Sequence, residues 1–159
     1  MYLLAILFHE LGHLLAIYCF RQRIVSVTLN IGGLDIRRYG GSSYVADAVV
    51  AISGPLLGYF AGCLGALTSH CDFFLLCSVY SAVNILPVYP LDGGCFLRAM
   101  LLRRFSLDRA TGILRCVSVV TFCCVYAAAV MLLLYTEWNA SLLVICIFIF
   151  SLTFLREKL

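Results

Sequence analysis

The sequence predicts a mostly α, polytopic membrane helix bundle of about five transmembrane segments, with a small β-hairpin between the first two. Three observations carry that expectation. The chain of 159 residues is 64% hydrophobic and only 12% charged, against about 25% charged in soluble domains. Its mean hydropathy is +1.05. Apolar runs recur at about the 20 residues that a spanning helix takes. The length suits a single domain, residues 1–159. The net charge of +3 is too small to argue for a nucleic-acid partner.

In chain order the expected spans are residues 1–20, 48–68, 73–91, 116–135 and 139–155. The first has no basic leader, no small-residue cleavage site, and a His-Glu-His interruption, so it does not read as a signal peptide. The second carries Gly54, Gly58 and Gly62 at i, i+4 and i+8. Such spacing lets helix backbones approach closely, and it is read here as packing without chemistry. The third ends in "NILPVYPLDGG", whose prolines and glycines predict an irregular end. Trp138 sits before the fifth as an interfacial anchor.

If these spans alternate, all eleven basic residues fall on one side. Arg21, Arg23, Arg37 and Arg38 follow the first span; Arg98, Arg103, Arg104, Arg109 and Arg115 follow the third; Arg156 and Lys158 follow the fifth. The other side receives His70, Asp72 and Glu137. The positive-inside rule makes the basic side cytoplasmic, with the C-terminus there. Between the first two spans, Val25, Val27, Leu29 and Ile31 alternate with Ser26, Thr28 and Asn30, a period-2 strand. Gly32 and Gly33 then turn the chain, and residues 34–39 return. Residues 95–115 read as a basic, partly amphipathic connector at the same surface. The nine cysteines include no C-x-x-C pair and lie mostly in apolar runs, so they read as reduced, small hydrophobes.

The chemistry is concentrated in "ILFHELGHLL", residues 6–15. His9, Glu10 and His13 form H-E-x-x-H. On a helix, positions i and i+4 share a face, so both imidazoles can address one ion, zinc above all, with Glu10 beside them as general base. An ionisable side chain at mid-membrane costs about 2.5–3.5 kcal/mol on insertion scales, and a bound metal compensates several at once. A catalytic zinc takes three protein ligands and keeps one open position. Asp35, Asp47, His70, Asp72, Asp92 and Glu137 are among the candidates for the third. Asp92 stands out, because "YPLDGG" ends the third span on the motif's own side and its glycines permit a bend and close approach. His13 lies eight residues before Arg21, which is about 12 Å of helix. Irregular backbone at that depth must line a protein-buried or wet cavity.

"HELGH", followed by "SGPL" and then "NILPVYPLDGG", resembles the site-2 proteases, intramembrane zinc metalloproteases. The small size looks most like the branch containing the stage IV sporulation protease. The resemblance runs through most of the chain, including the Gly-Gly that ends the hairpin and "RATGILR" at 109–115. It implies one zinc held by His9, His13 and Asp92, with Glu10 catalytic. Asn84 falls on a family asparagine thought to steady the substrate or oxyanion; its plainer role is a helix-packing hydrogen bond. The implied activity is cleavage of a membrane-embedded or membrane-associated protein near the cytoplasmic face, in a bacterial plasma membrane, under a regulatory membrane partner.

Three departures stand out. Only eight residues precede His9, where the family usually has a further span. Gly58 occupies the asparagine of G-P-x-x-N, and Cys95 follows D-G-G where a basic residue is usual. The rival readings are a catalytically inactive binding relative, a fragment lacking the first span, and an ion transporter. The retained motif speaks against the first. The few polar residues on the far side speak against the last.

Overall fold

The computed structural model describes residues 1–22, 24–30, 33–38, 43–68, 70–135 and 141–147, the strand side chains apart from Ser26 excluded. Five helices and two strands follow in order: α1 (Tyr2–Cys19), β1 (Ile24–Asn30), β2 (Gly33–Arg38), α2 (Tyr44–Leu67), α3 (Cys71–Asn84), α4 (Asp92–Leu102) and α5 (Leu107–Tyr135). Residues 141–147 are also helical.

Helix α1 is apolar on nearly every face, as expected of a segment surrounded by lipid and protein rather than water. It stops at a left-handed residue. Arg21 has φ 50°, its N–H bonds the Tyr18 carbonyl at 3.0 Å, and Gln22 N–H bonds that of Ile17 at 3.1 Å. This is the paired closure of a Schellman motif, here built without glycine. The β1 and β2 backbones pair antiparallel, from Asn30 opposite Gly33 to Ile24 opposite Arg38, with an irregularity between Ile24 and Ser26.

Helix α2 starts at Ser43, whose Oγ accepts from Val45 N–H at 3.2 Å. It is the centre of the bundle, packing α1, α3 and α4. Small residues make this possible: a methyl on Gly62 would lie 2.7 Å from the Cys77 side chain of α3, and one on Gly12 would strike the Ser53 carbonyl. Pro55 lies fully buried within α2.

Three helices, α1, α2 and α5, are long and apolar enough to cross a membrane among the described residues, where five spans are expected from the sequence. The third expected span ends early. Helix α3 stops at Asn84 after 14 residues, because Pro87 lacks the N–H that a continuing helix requires and restricts the residue before it. Hydropathy continues through Ile85, Leu86 and Val88; helical backbone does not. Of the fifth expected span only residues 141–147 are described. The expected connector at 95–115 is not a separate element: it divides between α4 and the first turns of α5. Large apolar side chains, such as Leu7 and Leu11 on α1 and Val119 and Val120 on α5, face outward. Water would not tolerate so large an apolar surface. This is an integral membrane protein.

Candidate metal centre

Helix α1 brings His9 and His13 one turn apart, with ring centroids 4.9 Å apart and planes at 75°. Their Nε2 atoms lie 3.2 Å from each other. Asp92 Oδ2, on the first residue of α4, lies 2.9 Å from His9 Nε2 and 3.4 Å from His13 Nε2. The corners of this triangle come from two elements, α1 and α4, and the 85–91 segment leads the chain into the third corner, Asp92. Val88 and Leu91 N–H groups close it on the carbonyls of Leu86 and Val88, both at 2.8 Å. Ser118 of α5 braces it from behind, donating to the Pro87 carbonyl at 3.4 Å and accepting from Tyr89 N–H at 3.3 Å.

Gly93 and Gly94 serve the close approach and not the bend. Both lie in the first turn of α4 and neither has positive φ. A methyl on Gly93 would collide with the carbonyls of Ile85 and Leu86, and one on Gly94 with the backbone of Val88 and Tyr89. Only hydrogen fits between this helix start and the loop that feeds it.

The donor set fits zinc. Ligand atoms 2.0–2.1 Å from a tetrahedral zinc stand about 3.3 Å apart, close to the observed edges of 2.9, 3.2 and 3.4 Å. Asp92 Oδ2 is buried and has no hydrogen-bond partner in spite of its proximity to both rings. Two imidazole nitrogens and a carboxylate oxygen therefore converge on one point. His13 Nδ1 donates to the Val50 carbonyl at 2.8 Å. A carbonyl can only accept, so the proton of a neutral ring sits on Nδ1 and Nε2 presents its lone pair to the triangle. Ser53 Oγ donates to the same carbonyl at 2.7 Å, fixing it in place.

Glu10 is buried on α1 next to His9, close enough for its charge to act on His13 and on Tyr80. Asn84 is not one of the converging groups. Its Nδ2 donates to the Tyr80 carbonyl one turn earlier in α3, at 2.9 Å. Of the other candidates for a third ligand, His70 bonds Thr68 at the α2–α3 corner and Asp72 opens α3. Asp35 and Glu137 fall among residues whose side chains are not described.

Sequence reasoning missed two contributors. The ring of Tyr80 stands edge-on to His9, with centroids 4.8 Å apart. Gly54, read as a packing residue, is part of the site: a methyl there would sit within 2.7 Å of His13 Cδ2 and closer still to Nε2 and Cε1. A cavity of about 270 Å³ opens beside His13 and Asp92, bounded by Tyr44, Asp47, Tyr89 and Arg98 among others. It leads from the triangle toward the arginine-bearing end of α4.

No family model matches the chain. Stage IV sporulation protein FB of Bacillus subtilis (strain 168) is 33% identical over 119 aligned positions, which take in 68% of this chain and 41% of that protein. The chain thus spans about two fifths of the length of the curated relative it matches. Among solved structures, the site-2 protease from Methanocaldococcus jannaschii superposes with a TM-score of 0.65 over 94% of this chain and 72% of that one, at 20% identity. That likeness establishes a shared fold. With the sequence match, it makes the chain a relative of the site-2 proteases.

Proposed function

We propose that the chain is an intramembrane zinc endopeptidase that cleaves a membrane-embedded or membrane-associated protein near the cytoplasmic face. The observation that carries this reading is the His9–His13–Asp92 triangle, partly buried within an apolar helix bundle with the Glu10 carboxylate on the same helix as its histidines. His9, His13 and Asp92 would hold one zinc ion. When bound, zinc supplies Lewis acidity and a water that ionises near neutral pH. Glu10 takes a proton from the attacking water and delivers it to the leaving amine. Asn84, near the end of the same helix as Tyr80, orients the substrate carbonyl. The cavity beside His13 admits an extended peptide, because a helical carbonyl is already hydrogen-bonded and hidden from attack. The hairpin of β1 and β2 pairs that peptide by strand addition. The arginine-rich loops fix the orientation, with the C-terminus cytoplasmic, in a bacterial plasma membrane where a regulatory membrane partner governs access.

The test has two stages. Zinc per chain is measured in detergent-purified protein, wild type beside Asp92→Ala. About one zinc in the wild type and clearly less in the variant is expected. New protein termini are then compared between cells expressing wild type and Glu10→Gln. Termini inside or beside membrane segments, present only with the wild type, would establish proteolysis. A folded wild type without zinc would refute the reading.

A further inference from the structure

The triangle accounts for only one nitrogen of each histidine. His13 is held at its other nitrogen by the Val50 carbonyl. His9 Nδ1 is buried with no partner, in a residue only 2% exposed. Across from it on α3, Ser81 is 5% exposed, and its Oγ is also buried without a partner. Two orphaned polar atoms in one apolar bundle are each costly. Both residues flank Gly58 of α2. A methyl built on Gly58 of α2 would lie 3.1 Å from Ser81 Oγ and 3.6 Å from His9 Cβ. The position that a side chain at Gly58 would take therefore faces both residues.

We propose that Ser81 is a positioning residue for His9, joined to its Nδ1 through one buried water held in the space over Gly58. Such a water needs polar partners and volume; the two orphans supply partners and the glycine supplies volume. The neutral His9 ring carries its proton on Nδ1 and donates it to the water. The water in turn donates to Ser81 Oγ. This fixes the ring so that Nε2 faces Asp92 and His13. Ser81 thus does for His9 what the Val50 carbonyl does for His13. A hydrogen bond to the outer nitrogen of a ligating histidine orients the ring and strengthens the ligand, and its loss typically costs 10–100-fold in metal affinity. The inference rests on the metal reading above.

The test is competition for zinc between a chromophoric chelator and the detergent-purified full chain, with circular dichroism as a check on folding. Ser81→Ala is expected to bind zinc at least about tenfold more weakly. Gly58→Ala, whose methyl occupies the proposed water position, is expected to fall with it. Ser81→Thr keeps the hydroxyl and should stay near the wild type. Wild-type zinc affinity in Ser81→Ala would overturn the inference. So would an equal loss in Ser81→Thr, since that would make the effect one of packing. A wild type that binds no zinc would overturn the metal reading and this inference together, whereas a zinc-binding wild type matched by Ser81→Ala would overturn this inference alone.

Discussion

Adding one methyl group at Gly54 should disable the metal centre while leaving the bundle assembled. The added carbon of Gly54→Ala would lie within 2.7 Å of three atoms of the His13 ring, where ordinary contact begins at 3.4 Å. The ring must therefore retreat by about 1 Å, while metal ligands tolerate roughly 0.2 Å. It cannot retreat freely, because Nδ1 is tied to the Val50 carbonyl at 2.8 Å on the same helix. Overpacking of this kind costs about 1–3 kcal/mol. Charged to the metal-bound geometry at about 1.4 kcal/mol per decade, that predicts zinc binding weaker by roughly 5- to 150-fold. The assay is zinc retention against a graded chelator, with thermal unfolding in detergent alongside. Gly112→Ala is the control, since nothing lies within 4 Å of a methyl there; it should keep its zinc and gain about 1 kcal/mol from helix propensity. Full zinc affinity in Gly54→Ala would refute the placement of His13 against α2 and, with it, the geometry on which the site is built.

Three further outcomes are expected. Proline at positions 25, 27 or 29 of β1 removes a backbone donor, so it should cripple cleavage while zinc per chain stays unchanged; undiminished cleavage would dismiss strand addition. Asn84→Ala loses the bond to the Tyr80 carbonyl and should cost about 1 kcal/mol of stability. A fall in kcat with zinc retained would assign Asn84 to the substrate, and unchanged kinetics would leave it a helix contact. Arg21→Gly relieves a left-handed conformation at the end of α1 and should raise stability by about 1 kcal/mol in thermal unfolding.

The parts of this site legible in the sequence are those governed by local periodicity. His9 and His13 share a face because helices repeat every 3.6 residues, and the rarity of ionisable groups in lipid gives Glu10 its significance. Asp92 stands out among several candidates by its setting, an irregular segment ending in Asp-Gly-Gly on the motif's own side. Gly54 was legible only as a small residue. What it makes room for, the His13 ring, belongs to another helix and leaves no trace in the spacing of α2. Tyr80 was invisible for the same reason, being one aromatic among many on an apolar helix. The third span was drawn too long because hydropathy sums side chains, while Pro87 ends the helix through the backbone.

The sharing of the Val50 carbonyl between His13 and Ser53 has a consequence for biogenesis. During synthesis, α1 is made before α2, carrying two histidines and a glutamate that lipid receives poorly. The carboxylate that completes the triangle follows only after α2 and α3 have been made. In that interval the Val50 carbonyl of α2 is already available to accept from His13 Nδ1, and Gly54 keeps clear the helix face against which the ring lies. Stable insertion of α1 is therefore tied to the arrival of α2 as a helical hairpin, well before any metal can be held. Substitutions on the α2 face that receives His13 should show themselves as poor accumulation in the membrane as well as lost activity.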